Sequence, residues 1–334
     1  MRSRGGRERS LRPPEALILG CGSAAHAHAA MLARVDPGLP LVFASRDGER
    51  ARATAAAHGG TAICGYDAAL ARAAGGIAVI ATPPANHRAL TLAALEQGWH
   101  VVVEKPAFPA VEDFDAVADA ARRARRLVLV AENYTYKPAV ARLRRAIGSG
   151  AIGELLLVSV NALKRQRREG WRGDRAVCAG PLLEGGVHWI DLMTNLGLAV
   201  RGVTARRSGR DGEDSVHALF EYAGGAVGAL NFSWEAFSPL GGVRLSRIYG
   251  RRGSIAFESN GAFVAVLGRR PSLYVSPPRE LSGQPAMWRA FLRAVAREQD
   301  PDHSLTRARE VVDLVERIYR DIGVTREQPA LAPA

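Results

Sequence analysis

A glycine-rich segment near the start of the chain, GCGSAAHAH at 20–28, has residue types and spacing that suit anion binding. It fits the pattern G-x-G-x-x-A, with Gly20, Gly22 and Ala25 at the three small positions. Gly20 permits a tight turn, Gly22 lets the backbone approach a pyrophosphate, and Ala25 allows a helix to pack closely on a strand. The N–H groups at the start of that helix, where Ser23 lies, favour anions. The segment therefore predicts a dinucleotide-binding turn.

The residues that end the second apolar run indicate which dinucleotide is bound. In this kind of site an acidic residue usually binds the adenosine ribose, whereas this chain has Ser45 followed by Arg46. Without that carboxylate a 2′-phosphate meets no repulsion, and Arg46 can pair with it through two hydrogen bonds. Arg50 is a second candidate one helical turn later. We therefore predict NADP(H) rather than NAD(H); the alternative is that Arg46 only opens a solvated helix and Asp47 binds the ribose.

Two more polar segments follow apolar runs, ATPPANH at 81–87 and VVVEKPA at 101–107. If the runs are parallel strands, both segments lie at the carboxyl edge of one sheet, where such folds bind cofactors. A histidine in the first segment is more often a capping or surface residue than a catalyst. The predicted contacts to the cofactor from these segments are Thr82, Pro83, His87, Glu104 and Lys105.

Six short apolar runs must position these motifs: ALILG, LVFAS, TAIC, IAVIAT, WHVVVE and LVLVA, all between residues 16 and 131. Alanine-rich amphipathic stretches separate them. Nearly continuous apolar strands that alternate with helices are typical of a parallel sheet covered on both faces. We predict an α/β fold that begins with a doubly wound Rossmann domain over residues 15–135, preceded by a disordered basic tail at 1–14.

Beyond residue 136 the strand candidates become longer and are joined by glycine-containing turns. The runs lie at 155–164, 214–234, 243–259 and 262–268, and two amphipathic helices follow them. Hairpin-like spacing of this kind indicates antiparallel pairing. We predict a C-terminal α+β domain over residues 136–325, with a large and mostly antiparallel sheet, followed by a disordered tail at 326–334.

Composition narrows the classes of function. The formal charge is +12, but only three of the 45 basic residues are lysine, and no zinc-finger, helix-turn-helix or aromatic-basic pattern accompanies the charge. We therefore expect no specific nucleic-acid partner. No apolar run reaches the roughly 18 to 20 residues that span a bilayer. The three cysteines are too widely spaced for a metal motif or a disulfide framework. These features predict a cytoplasmic protein with no membrane association and no bound metal.

An ordered set of short motifs between residues 16 and 322 resembles the Gfo/Idh/MocA family, named for glucose–fructose oxidoreductase and inositol dehydrogenase. The motifs are GCGSAAHAH, VIATPPANH, VEKPA, AENYTYKP, GSGAIGE, GPLLEGGVHWIDL, EDSVHALFEYAGGAVG, IYGRRGSIAFE and ERIYRDI. The resemblance implies a two-domain NAD(P)-dependent oxidoreductase. It also implies a homo-dimer or homo-tetramer formed through the C-terminal sheet.

The resemblance implies three catalytic residues. Lys105 would hold and stabilise the reacting oxygen, beside the turn fixed by Pro106. His188 would act as the general acid/base, a role that suits a side chain whose ordinary pKa lies near neutrality. Glu184 stands four residues before His188, where relatives usually have aspartate. This departure leaves two roles open for Glu184, contact with substrate hydroxyls or orientation of His188.

The resemblance favours a sugar, cyclitol or related polyol as the substrate, with hydride exchanged between a hydroxyl or carbonyl carbon and the nicotinamide. Two alternatives stay open: a family member that reduces a dihydrodiol, biliverdin or imine-type compound, and a non-catalytic dinucleotide-binding sensor or accessory protein. Further candidates for contact with the substrate are Tyr134, Trp171, Arg172 and Asp191.

Overall fold

The structure, a computed structural model, describes residues 15–72, 75–166, 180–208, 214–238, 242–300, 302 and 304–324. Its N-terminal part contains six strands, β1 (Ala16–Leu19), β2 (Leu41–Ser45), β3 (Thr61–Cys64), β4 (Ile77–Ile80), β5 (His100–Val103) and β6 (Val128–Val130). All pair in parallel, in the order β3-β2-β1-β4-β5-β6. The chain leaves β1 toward one side and β4 toward the other, which opens a crevice at their carboxyl ends. The predicted Rossmann sheet is confirmed.

Five helices of the described chain accompany this sheet: α1 (Ser23–Val35), α2 (Gly48–His58), α3 (Tyr66–Leu70), α4 (His87–Glu96) and α5 (Val111–Ala124). Both faces of the sheet are buried. In β1, Leu17 and Leu19 join the core on the side of α4 and α5, whereas Ala16 and Ile18 join the core on the side of α1. A strand with a core on each face needs apolar residues at every position, which is why these runs are continuous.

Eight strands form the second sheet: β7 (Leu155–Leu163), β8 (Val200–Arg207), β9 (Ser215–Tyr222), β10 (Val227–Ser233), β11 (Leu245–Gly250), β12 (Gly253–Glu258), β13 (Phe263–Gly268) and β14 (Ser272–Val275). Their order is β14-β13-β12-β11-β7-β10-β9-β8. Every pair is antiparallel except β7 with β10, which is parallel. The predicted mostly antiparallel sheet is confirmed.

The two edge strands of this sheet, β8 and β14, were not predicted from the sequence. Their side chains are mostly exposed or half-buried, so they lack the apolar alternation by which a strand is recognised. The inner strand β9 shows that alternation clearly. Val216, Ala218 and Phe220 point into the core, and His217 and Leu219 are exposed on the outer face. The predicted oligomer interface on this outer face stays a prediction.

The remaining helices are α6 (Pro138–Gly148), α7 (Val187–Thr194), α8 (Gln284–Arg297) and α9 (Ser304–Asp321). A π-helical turn at Leu182–Gly186 leads into α7. α8 packs against α1, beside the parallel sheet, while α9 contacts α5, β6, α7 and β8. The C-terminal helices therefore join the two sheets. Among the described helices none combines the length and the apolar character that crossing a membrane requires. The two predicted tails lie outside the described residues.

Candidate active site

The turn after β1 has the backbone geometry that a pyrophosphate needs. Gly20 has a φ of +108°, and a Cβ atom there would lie 2.5 Å from the carbonyl oxygen of Ala81, so only glycine fits. A Cβ atom at Gly22, the N-cap of α1, would meet open space. Ser23 opens the helix, whose first turn has no acidic residue to oppose an anion. Ala25 is fully buried in the core beneath.

A cavity of about 690 Å³ opens over this turn and reaches the ends of β2, β4 and β5. Its size is that of a cofactor site. Thr82 lines the cavity, and its buried Oγ1 has no hydrogen-bond partner among the described residues. Because such a group is costly to leave unpaired, it suits a ligand that supplies the partner. The residues therefore fit a dinucleotide. The predicted contacts that line the cavity are Gly20, Gly22, Ser23, Ser45, Arg46, Thr82, Pro83, His87, Glu104 and Lys105.

The end of the cavity beyond β2 is basic. Arg46 and Arg50 both line it. The last residue of β2 is Ser45, so that strand does not end in a carboxylate. Asp47 also lines the cavity, but its Oδ1 accepts hydrogen bonds from the backbone N–H groups of Glu49, at 2.9 Å, and Arg50, at 3.2 Å. Asp47 is thus the N-cap of α2. The buried Ser45 hydroxyl accepts a hydrogen bond from the backbone N–H of Asp47.

His87 holds two loops together beneath the cavity. One ring nitrogen lies 2.8 Å from the carbonyl oxygen of Thr82, and the other lies 3.0 Å from those of Pro106 and Ala107. The Lys105–Pro106 peptide bond in the second loop is cis. Since both ring nitrogens face the backbone, His87 offers the cavity only carbon atoms. The predicted contact between His87 and the cofactor stays a prediction.

Lys105 lies where the cofactor cavity meets α7. Its Nζ donates a hydrogen bond to the carbonyl oxygen of Glu184 at 2.9 Å. The neighbouring Glu104 accepts one from the backbone N–H of Lys105, at 3.0 Å, and lies 2.8 Å from Nε2 of His28. Burial raises the pKa of the Glu104 carboxyl, but the His28 hydrogen bond and the Lys105 charge outweigh it and lower the pKa overall. An ionised Glu104 therefore accompanies the Lys105 cation.

His188 has a carboxylate partner that the sequence analysis missed. Its Nδ1 lies 2.7 Å and 2.8 Å from the two carboxylate oxygens of Glu132, which follows β6. Nε2 has no hydrogen-bond partner in the part of the chain that the structure describes. Burial raises the pKa of Glu132, but the charge and hydrogen bond of His188 reverse this and lower it. Glu132 was recognisable only by its place at the carboxyl end of a parallel strand.

Tyr134 forms one wall beside His188. The two rings are stacked, with centroids 4.3 Å apart and an interplanar angle of 13°. The Tyr134 hydroxyl donates to Oδ1 of Asn260 at 3.1 Å, and Nζ of Lys137 lies 3.6 Å from the centre of its ring. Burial raises the pKa of Tyr134 to about 12, so this hydroxyl stays protonated at neutral pH. The ring thus fixes the plane of the His188 imidazole.

The other predicted site residues have different positions. Glu184 lies in the π-helical turn and is buried, and the carboxylate that contacts His188 comes from Glu132. Asp191 is buried and accepts hydrogen bonds from Arg307, at 3.0 Å, and Thr135. Burial raises the pKa of Asp191 to about 6, against the opposing effect of Arg307. These partners hold the Asp191 carboxylate in place, and its predicted contact with a substrate stays a prediction.

Trp171 and Arg172, the other predicted substrate contacts, lie outside the described residues. Over the ranges that are described, no group of three or more histidine, cysteine, aspartate or glutamate side chains is placed to hold a metal ion.

Two family models match the chain. The oxidoreductase family with an NAD-binding Rossmann fold, GFO/IDH/MocA, matches residues 15–132, and the GFO/IDH/MocA C-terminal domain matches residues 140–256. A dTDP-3,4-didehydro-2,6-dideoxy-alpha-D-glucose 3-reductase from Streptomyces violaceoruber is 32% identical over 247 residues, which cover 72% of this chain and 70% of that protein.

Solved structures share the fold. A levoglucosan dehydrogenase in complex with NADH and levoglucosan superposes with a TM-score of 0.80 at 22% identity, over 92% of this chain and 97% of that chain. A 3-ketoreductase from Actinomadura kijaniata in complex with NADP and TDP-benzene superposes with a TM-score of 0.80 at 21% identity, over 93% of this chain and 98% of that chain. Together with the cavity over Gly20 and Gly22, the matching models show that this chain is an NAD(P)-dependent oxidoreductase of the Gfo/Idh/MocA family.

Proposed function

We propose that the protein interconverts a secondary alcohol and a ketone on a sugar or related polyol, with NADP(H) as its coenzyme. The observation that carries the proposal is the bonding of His188. Glu132 accepts from Nδ1, and Nε2 has no partner among the described residues. An imidazole held in this way has an unprotonated Nε2 that can accept a proton from a substrate hydroxyl.

In the oxidation direction, Nε2 of His188 takes the hydroxyl proton. The imidazolium that forms is stabilised by the ionised Glu132 carboxylate at 2.7 Å. In the reduction direction the same atom returns the proton to the alkoxide. Glu132 thus fixes the tautomer of His188 and offsets its charge in the protonated state.

Lys105 supplies the second charge. Its Nζ is anchored to the carbonyl oxygen of Glu184, four residues before His188, and keeps two further N–H donors. One of these can bind the substrate oxygen and stabilise negative charge that develops on it. When bound, the nicotinamide ring supplies the hydride acceptor or donor. The protein contributes orientation and proton transfer.

A sugar substrate is supported by the names of relatives. The Streptomyces violaceoruber relative is a reductase of a deoxy-sugar nucleotide, and a levoglucosan dehydrogenase shares the fold over 97% of its length. Donors and acceptors at a polar site suit a substrate rich in hydroxyl groups. The relatives act on different sugars, so the proposal names the class of substrate and no individual sugar.

NADP(H) is supported by the basic end of the cavity. Arg46 and Arg50 line it together, and the Asp47 carboxylate already caps α2 through Oδ1. A 2′-phosphate would meet two guanidinium groups there, and paired arginine–phosphate contacts are among the strongest hydrogen bonds in proteins. An NAD-specific site would instead place a carboxylate at the end of β2, where this chain has Ser45.

The test has two stages. Calorimetric titration should give tight binding of NADPH and much weaker binding of NADH; equal or reversed affinities would contradict the NADP(H) proposal. The purified protein is then screened with NADP⁺ against free sugars, sugar nucleotides, cyclitols and dihydrodiols. Turnover confined to dihydrodiols would reject the sugar proposal.

The matched control for the screen is His188→Asn. Its side-chain amide can still donate to Glu132, but it offers no nitrogen that accepts a proton. If His188→Asn still turns over a substrate, that turnover does not depend on His188 and is counted as background. Tight coenzyme binding with no turnover on any class of substrate would instead favour a non-catalytic role.

A further inference from the structure

A chain of hydrogen bonds runs from the C-terminal helix α8 to the backbone of Lys105. The indole Nε1 of Trp288 donates to Nδ1 of His28 at 3.1 Å. Nε2 of His28 lies 2.8 Å from one oxygen of Glu104, and the other oxygen accepts the backbone N–H of Lys105 at 3.0 Å. Trp288 and His28 are 0% and 2% exposed, so water does not compete for these bonds. The chain joins residues 260 positions apart.

We propose that Trp288 is a positioning residue that locks His28 in the neutral, Nε2-protonated tautomer and so keeps an uncancelled negative charge on Glu104 beside Lys105. The consequence for catalysis rests on the role of Lys105 in the proposed function. The lock itself rests on the hydrogen bonds alone.

The tautomer follows from the chemistry of the indole. An indole N–H can only donate, so Nδ1 of His28 must accept and cannot carry a proton. The proton of the neutral ring is then on Nε2, which donates to the Glu104 carboxylate. Protonation of His28 would require the Trp288 hydrogen bond to break in a dry environment, where a lost partner is costly. The perpendicular packing of the two rings, with centroids 5.4 Å apart, holds the indole in place.

The lock determines the charge around Lys105. Among the described residues, the ionisable groups that face Glu104 are His28 on α1, Lys105 on its own loop and His87 on α4. With His28 neutral, the carboxylate charge acts fully on the Lys105 cation. If His28 became an imidazolium, it would cancel that charge, and the Lys105 cation would lose its neighbouring negative charge. Without the lock, the net charge beside the Lys105 cation would therefore depend on the protonation of His28.

Trp288→Phe tests the inference, because it keeps an aromatic ring in the core but removes the N–H donor. Turnover of the variant relative to wild type is measured from about pH 5.5 to 8.5, since the ratio cancels pH effects that the two proteins share. We expect the ratio to fall by roughly tenfold toward acid pH, because proton uptake by His28 would cancel the Glu104 charge. The dissociation constant for the coenzyme should stay within about twofold, because α8 does not line the coenzyme cavity.

The matched control is the double variant Trp288→Phe with His28→Gln. The glutamine amide can still donate to Glu104 but does not titrate. The pH-dependent fall should disappear in the double variant. A flat ratio for Trp288→Phe, or a fall that persists in the double variant, would overturn the inference.

A second measurement keeps the test decisive if Trp288→Phe fails to fold, and it needs no substrate. In wild-type protein with ¹⁵N-labelled histidine, the ring nitrogens of His28 should show a protonated Nε2 and an unprotonated Nδ1 from about pH 5.5 to 8. A His28 ring that titrates in that range, or that shows the other tautomer, would reject the lock. Absence of turnover on every sugar would count against the proposed function, while these spectra would still test the lock.

Discussion

The two carboxylate oxygens of Glu132 lie 2.7 Å and 2.8 Å from Nδ1 of His188, although 56 positions separate the residues. Glu132 follows the last strand of the parallel sheet, and His188 is the second residue of α7, beyond the first strand of the other sheet. The proposed acid/base pair therefore exists only where the two units meet. Relative movement of the units would separate the base from the group that orients it.

Glu132→Gln should lower kcat by roughly 10- to 100-fold, because the amide keeps the shape but cannot stabilise the imidazolium or enforce the tautomer. The affinity for NADPH should change little. Steady-state kinetics and calorimetry measure the two quantities. The matched control is Glu184→Gln, since Glu184 holds Lys105 through its backbone carbonyl, which that substitution keeps. A larger loss in Glu184→Gln than in Glu132→Gln would show that the orienting carboxylate is at position 184.

Lys105→Met should reduce kcat by about a thousandfold, because methionine fills similar space but has neither charge nor donors for the substrate oxygen. Coenzyme binding should be nearly intact. The control is Lys164→Met, since Lys164 is one of the chain's three lysines and is exposed just after β7. Turnover retained by Lys105→Met would remove Lys105 from the mechanism.

Arg46→Ala should weaken NADPH binding by roughly 10- to 100-fold and leave NADH binding almost unchanged, because only NADPH has the 2′-phosphate. Arg50→Ala should act in the same direction. The control is Arg52→Ala on the same helix, whose guanidinium is exposed and pairs with Glu49. Titration of each variant with both coenzymes gives the ratio of affinities. A ratio unchanged in Arg46→Ala and Arg50→Ala would refute the assigned phosphate site.

His100 should make the protein less stable in acid. Burial and the nearby charge of Arg126 lower the pKa of His100 from 6.5 to about 4, and its Nδ1 accepts the backbone N–H of Leu127 at 3.2 Å. Between these two values the unfolded chain binds a proton that the folded protein excludes. Its contribution to stability is therefore complete above about pH 6.5 and is lost as the pH falls toward 4.

His100→Asn isolates this contribution, because the asparagine oxygen can accept the Leu127 N–H without titrating. The free energy of unfolding of the variant, relative to wild type, should improve by about 2 to 3 kcal/mol between pH 7.5 and pH 4.5. Urea unfolding at several pH values measures it. Parallel pH dependences for the two proteins would rule out this role of His100.

The Rossmann half was predictable from the sequence because its signals are local. Each strand of the parallel sheet is buried on both faces, so its apolar run stands out, and the turn at Gly20 follows the first run directly. Parallel strands share a carboxyl edge, and this rule alone predicted that Thr82 and Lys105 lie close together; both line one cavity. The dinucleotide class followed from the same local pattern.

The tertiary structure decided the relationships between distant segments. The edge strands β8 and β14 take their conformation from pairing with a neighbour, since their own side chains carry little apolar pattern. The partner of His188 proved to be Glu132 because β6 and α7 meet across the junction of the two units. Asp191 pairs with Arg307 because α9 brings that arginine against it. Residue type and spacing determine what a side chain can do, whereas packing between distant elements decides which partner completes it.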